Sequence, residues 1–136
     1  MDSSEPGHGN APVLVVDDDP SIRDTVTEIL EFEGYPVATA SNGQDALGRV
    51  AHERPSLVLL DMRMPVMDGW GFARALRERG VRLPIVVMTA AQDARRWADE
   101  IGAAGYLPKP FDLEHLLAVV ARLRTSPAPG PGLPDL

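Results

Sequence analysis

The 136-residue sequence contains no cysteine, which excludes a disulfide framework, a thiolate metal site and a thiol nucleophile. No apolar run is long enough to cross a bilayer, and the first ten residues, MDSSEPGHGN, lack the apolar core of a signal peptide. Because both features are missing, we expect a cytoplasmic protein without membrane association. Lysine is also nearly absent, because only Lys109 among the 13 basic residues is a lysine.

The composition is that of an ordinary globular domain, with 44% hydrophobic and 24% charged residues. A chain of this length can form one domain with a sizeable core. The net charge of −7 argues against direct nucleic-acid binding by this chain, because such binding requires a basic surface.

The two ends of the chain differ in composition from its middle. Residues 1–11 are polar and contain glycine and proline, which predicts a flexible N-terminal arm. Residues 125–136, TSPAPGPGLPDL, carry four prolines and predict an extended tail or linker. The folded domain is expected to comprise residues 12–124.

Short apolar runs alternate with amphipathic segments in this middle part. Asp19 has the character of an N-cap and Pro20 of a first helical residue, and Gly34 is expected to end that helix. Strands are predicted at 13–16, 35–40, 57–60, 85–88 and 106–107. One helix is predicted to begin at residue 20, and four others are predicted at 44–52, 69–79, 91–101 and 113–123. This alternation predicts an α/β fold, a doubly wound parallel sheet of five strands covered by five helices.

Aspartates follow the first and the third predicted strand directly. Asp17, Asp18 and Asp19 are consecutive, and Asp61 ends the third strand, so negative charges accumulate where they repel one another. If these strands are neighbours, Asp17, Asp18 and Asp61 converge at one edge of the sheet. Three carboxylates in one cleft suit Mg²⁺, which would offset their repulsion.

The segments VVDDDP, LLDMRMPVMDG, MTA and GYLPKPF, in this order and spacing, resemble the receiver domain of two-component response regulators. The resemblance extends over roughly residues 12–124 and rests on four separate strand ends. It implies a flavodoxin-like, CheY-like sheet with the strand order 2-1-3-4-5, which the hydrophobic pattern alone does not determine. It also implies a signalling module and not an enzyme.

The implied function is to accept a phosphoryl group from a histidine kinase or a histidine phosphotransfer protein. Asp61 would be the phosphoacceptor, because a carboxylate can form an aspartyl phosphate. Asp17 and Asp18 would hold Mg²⁺ together with Asp61, and the backbone carbonyl of Arg63 would be a further ligand. Taken alone, an aspartate at this position is more often a helix cap or a solvated loop acid than an acceptor; the complete set of motifs favours the acceptor.

The same resemblance assigns residues that bind the phosphoryl group. The Thr89 hydroxyl and the Lys109 ammonium would each contact a phosphoryl oxygen, and the small Ala90 would leave the site open. Lys109 precedes Pro110, and this Lys-Pro peptide is commonly cis in the family. By itself, Thr89 also fits a strand-end threonine in a turn, and a lone exposed lysine is usually solvated.

Tyr106 corresponds to the switch aromatic of the family. Movement of Thr89 toward the phosphoryl group would let Tyr106 turn inward and remodel the face formed by the fourth helix, fifth strand and fifth helix, where an unknown downstream protein would bind. Pro65 and Gly69 are expected to shape the loop into the third helix. Arg63 is long enough to shield the phosphoryl group from water.

Two other functions stay open. A Mg²⁺-dependent phosphatase of the haloacid dehalogenase type also uses a strand-end aspartate, but it places a second acid two residues later, where this sequence has Arg63. A binding scaffold would need none of the phosphoryl-binding residues. Trp97 fits either core packing or a partner contact. The proline-rich segment after Arg124 fits either a single-domain regulator or the beginning of a linker.

Overall fold

A computed structural model describes residues 11–124 of the chain. The predicted tail at 125–136 and the predicted arm, except for Ala11, lie outside the described residues.

Five strands and five helices alternate along the described chain. They are β1 (Val13–Val16), α1 (Pro20–Phe32), β2 (Val37–Ala40), α2 (Gly43–His52), β3 (Leu57–Asp61), α3 (Gly69–Glu78), β4 (Ile85–Ala90), α4 (Ala91–Ile101), β5 (Gly105–Lys109) and α5 (Leu113–Leu123). Among these helices, none combines the length and the apolar character that a membrane span requires.

The strands form one parallel sheet in the order β2-β1-β3-β4-β5, so the doubly wound α/β fold is confirmed. Buried side chains of α1 and α5 pack on one face with one core cluster, and those of α2, α3 and α4 pack on the other face with a second cluster. Every residue of β1 and β3 is buried, as expected for central strands of a parallel sheet. β2 lies at an edge.

Local side-chain chemistry determines where the first helix begins and ends. The Asp19 carboxylate accepts the Ser21 N–H at 2.9 Å, and the proline at position 20 opens the helix. Gly34 follows the helix with a φ of 93°, a left-handed conformation that favours glycine. These predicted boundaries are confirmed.

The predicted start of β2 at Tyr35 is wrong by two residues. The Tyr35 N–H donates to the Leu30 carbonyl at 3.0 Å, so this residue completes the end of α1. Pro36 has no N–H for the ladder, although its carbonyl accepts the Val13 N–H at 2.9 Å. Regular pairing therefore begins at Val37.

β4 and β5 extend further than their apolar runs indicate. Their register pairs Thr89 with Pro108 and Ala90 with Lys109, so polar residues continue both strands to the carboxyl edge. Pro108 is tolerated because β5 is an edge strand. α2 likewise begins one residue earlier than predicted, because the Asn42 side chain caps it by accepting the N–H of residue 45 at 2.8 Å.

Candidate functional site

The register of β1 and β3 brings two of the predicted acids to the same level. Val16 pairs with Leu60, so Asp17 and Asp61 each occupy the next position at the carboxyl edge. Oxygens of Asp17, Asp18 and Asp61 all lie within 4.8 Å of one another. The convergence expected from the sequence is therefore present.

The three acids differ in exposure and in partners. Asp17 is fully buried and Asp61 is 7% exposed, whereas Asp18 is exposed to solvent. One oxygen of Asp17 accepts the Asp19 N–H at 2.9 Å. The cluster is thus buried on the side of the sheet and open on the side of Asp18.

Arg23 on α1 holds the backbone of this cluster. Its guanidinium donates to the Asp17 carbonyl oxygen at 2.8 Å. The sequence analysis did not identify this residue, because nothing local distinguishes it from the other eleven arginines of the chain.

Lys109 reaches the acids from the end of β5. Its Nζ lies 2.9 Å from Asp17 Oδ2 and 3.7 Å from Asp61 Oδ1. The peptide between Lys109 and Pro110 is cis. The family resemblance predicts Lys109 at this site but does not predict its ion pair with Asp17.

The environment of Asp61 favours its protonated form. Burial raises the pKa of this carboxyl from 3.8 to about 7, and the charges of Asp17 and Asp18 act in the same direction. The Lys109 ammonium and a hydrogen bond from the Arg63 backbone N–H oppose the rise in pKa. Without a cation, Asp61 is therefore only partly ionised at neutral pH.

The donor set fits a small divalent cation. Carboxylates are hard oxygen ligands, and their oxygens are close enough to share one ion. A cation would also relieve the repulsion that raises the pKa of Asp61. The exposed Asp18 leaves one side of the cluster free for water ligands.

The other predicted residues lie at the same edge of the sheet or on the adjoining strand. Thr89 is buried and follows Met88, which pairs with Asp61. Ala90 is exposed and pairs with the last residue of β5. Tyr106 is 39% exposed on β5, so its ring is not enclosed by the core.

The loop between β3 and α3 passes very close to the carboxyl end of β3. A Cβ at Gly69 would lie 2.9 Å from Met62 Cα and 3.2 Å from the Asp61 carbonyl oxygen, so a side chain is not accommodated. The Gly69 N–H donates to the Met62 carbonyl at 2.9 Å. After Pro65, Val66 has a φ of 72°, and the carbonyl of the proline accepts the Met67 N–H at 2.8 Å.

Arg63 and Trp97 form a contact that the sequence did not indicate. Trp97 is 7% exposed and belongs to the core, which favours packing over a direct partner contact. The Arg63 guanidinium carbon lies 5.3 Å from the centre of the Trp97 ring, within the range of a cation–π interaction.

Residues 13–121 match the family model of the response regulator receiver domain. This chain belongs to that family. It is a receiver domain of the kind used in two-component systems, and the predicted family resemblance is confirmed.

Curated relatives of this receiver are mycobacterial response regulators named MprA. The chain is 47% identical over 128 residues to MprA of Mycobacterium sp. strain KMS, covering 91% of this chain and 56% of the relative. It is 45% identical over 119 residues to MprA of Mycobacterium leprae strain TN, covering 85% and 52% respectively. The receiver thus spans about half the length of the curated relatives it matches.

Solved structures show the same fold. The chemotaxis response regulator CheY4 of Vibrio cholerae is 37% identical, with a TM-score of 0.75 over 83% of this chain and 98% of that one. The receiver domain of NtrX from Brucella abortus is 31% identical, with a TM-score of 0.75 over 82% and 96% respectively.

Proposed function

We propose that this receiver accepts a phosphoryl group on Asp61 from a phosphohistidine of a histidine kinase or a phosphotransfer protein. The observation that carries this proposal is the convergence of three carboxylates with the Lys109 ammonium at one edge of the sheet. The folded unit is proposed to be residues 12–124. No turnover of external substrates is expected.

In the proposed reaction, one carboxylate oxygen of Asp61 attacks the phosphorus atom. The new O–P bond forms as the P–N bond breaks, and the histidine nitrogen keeps the electron pair and takes up a proton. Lys109 Nζ, 3.7 Å from Asp61 Oδ1, is close enough to hold an oxygen of the incoming group. The hydroxyl of Thr89 is proposed to bind another.

Asp17, Asp18 and Asp61 are proposed to hold Mg²⁺, with the backbone carbonyl of Arg63 as a further ligand. When bound, Mg²⁺ would neutralise charge on the transferring phosphoryl group. The fit of the donor set and the raised pKa of Asp61 support this assignment.

The proposed output is a change in the face formed by α4, β5 and α5. Thr89 would move toward the phosphoryl group, and Tyr106 would turn from its half-exposed position into the space released. A downstream protein is proposed to bind that face in the phosphorylated form.

The test is intact-mass spectrometry after incubation with Mg²⁺ and acetyl phosphate. The expected result is a gain of one phosphoryl group, which is lost in Asp61→Asn and without Mg²⁺. Asp99→Asn, which removes an exposed acid of α4, is the matched control and should be phosphorylated normally. No gain with acetyl phosphate or with a panel of phosphorylated histidine kinases would overturn the proposal.

A further inference from the structure

Two cationic side chains come from residues near Asp61, and they have different partners. Lys109 contacts the carboxylates, whereas Arg63, only two residues after the acceptor, makes no ion pair among residues 11–124. Its guanidinium lies on Trp97. This arrangement is informative, because Arg63 follows Asp61 by only two residues, yet its guanidinium contacts an aromatic ring and none of the three carboxylates.

Trp97 is a rigid partner for Arg63. Trp70 packs against it in an edge-to-face arrangement, with ring centres 4.9 Å apart and planes at 69°. Trp70 is itself held by its Nε1–H, which donates to Glu100 at 2.9 Å. Since Trp97 is 7% exposed, little freedom is left to its ring, and the contact joins the loop after β3 to α4.

Arg96 also lies near Trp97, at 5.9 Å from the ring centre, but it has a different position. It pairs with Asp93 at 2.7 Å, and both residues belong to α4. Both of these contacts of Arg96 are with residues of its own helix, so it does not connect α4 to another element. It is therefore a matched control for Arg63.

The strengths of the competing contacts favour an exchange when charge is added to Asp61. Arg63 itself is exposed, and a cation–π contact of an exposed cation contributes a factor of about two to five in an equilibrium constant. A hydrogen bond to a charged group contributes roughly ten- to a hundredfold. A phosphoryl oxygen within reach would therefore compete effectively with the Trp97 ring.

We propose that Trp97 is a positioning residue that holds Arg63 away from the unphosphorylated acceptor, and that phosphorylation moves the guanidinium from the ring to a phosphoryl oxygen. This inference rests on the proposed phosphorylation of Asp61. Because Trp97 belongs to α4, the exchange would report phosphorylation to that helix by a route that uses neither Thr89 nor Tyr106.

The first experiment follows Trp97 emission in a Trp70→Phe background, in which Trp97 is the only tryptophan. The baseline is Mg²⁺-saturated protein, acetyl phosphate is then added, and intact mass measures phosphorylation in each sample. We expect an emission change that accompanies phosphorylation, persists with Arg96→Gln and is lost with Arg63→Gln. The same change in Arg63→Gln would overturn the proposal.

A second measurement keeps both tryptophans and follows the Arg63 side-chain N–H by NMR. The Trp97 ring current should shift this signal upfield in the unphosphorylated protein, and phosphorylation should remove that shift. An unchanged signal in protein whose mass shows full phosphorylation would refute the exchange. Absence of phosphorylation by mass would instead count against the proposed function.

A double-mutant cycle tests whether Trp97 acts through Arg63. With Trp97→Phe, which keeps an aromatic ring but binds a cation more weakly, Arg63 should spend more time on the phosphoryl group and shield it from water. The half-life of the aspartyl phosphate should lengthen by up to about two- to fivefold, the factor for complete loss of the contact, and only when Arg63 is present. An equal effect in the Arg63→Gln background would show a merely structural role.

Discussion

The interior of the sheet and its carboxyl edge differ sharply over a single residue. β1 and β3 are apolar and fully buried up to Val16 and Leu60, and the next positions hold Asp17 and Asp61. The interior gains stability from every side chain, whereas the edge concentrates charges that repel. The comparison indicates that a well-packed interior tolerates an edge whose arrangement lowers stability.

The largest expected effect tests the interior. Leu59→Ala removes a fully buried side chain of β3 and should lower the free energy of unfolding by about 2–5 kcal/mol in urea titrations. Phe32→Ala is the control, because this side chain is 88% exposed and should change the value by less than about 0.5 kcal/mol. An equal loss of unfolding free energy in the two variants would contradict the conclusion that the buried interior of the sheet provides the stability.

The next effect has the opposite sign and tests the edge. In metal-free protein, Asp61→Asn should raise the free energy of unfolding by about 2–4 kcal/mol at pH 8. The folded protein binds this proton with a pKa of about 7, against 3.8 for the ordinary carboxyl. The contribution of Asp61 to the free energy of unfolding is therefore fully present below about pH 3.8 and is lost as pH rises through 7.

Urea titrations at pH 5 and pH 8 check this prediction. The advantage of Asp61→Asn over the unmodified protein should shrink at pH 5, where the native carboxyl is largely protonated. Asp99→Asn, at an exposed position, should show no comparable dependence on pH. A destabilising effect of Asp61→Asn at pH 8 would break the comparison between interior and edge.

Lys109 sharpens the comparison, because it is the cation that compensates part of the repulsion. Lys109→Met should lower the free energy of unfolding of metal-free protein by about 1.5–3 kcal/mol, since Asp17 is fully buried and would lose its ionic partner. Adding Mg²⁺ should reduce this deficit, as measured by thermal unfolding. Lys109→Arg keeps the charge and should lose less; an equal loss would contradict the electrostatic explanation.

The smallest expected change in stability concerns an acid that caps a helix and does not belong to the carboxylate cluster. Asp112 caps α5 by accepting the His115 N–H at 2.8 Å, so Asp112→Ala should lower the free energy of unfolding by about 0.5–2 kcal/mol. Asp112→Asn keeps a capping oxygen and should be nearly neutral. If both variants lost the same stability, the charge of Asp112, and not its cap, would be responsible.

Local patterns predicted the elements well where the decisive contacts are local. Asp19, Pro20 and Gly34 mark the ends of α1 within a few residues of chain, and the buried run of β1 is continuous. The predicted ends of β4 and β5 came too early because Thr89 and Lys109 are polar and lie beyond the apolar runs. These residues belong to strands only because β4 and β5 pair with each other there. The start of β2 was missed because the N–H of Tyr35 completes the preceding helix.

By itself, the sequence determined the alternation of strands and helices and placed Asp17, Asp18 and Asp61 at strand ends, because periodicity, caps and strand termini depend on near neighbours. The strand order followed only from a family resemblance. The tertiary structure alone decided that Lys109 pairs with Asp17 and that Arg63 lies on Trp97. Such contacts join residues far apart in the chain, and the outcome depends on which partners compete for each charge after the sheet has formed.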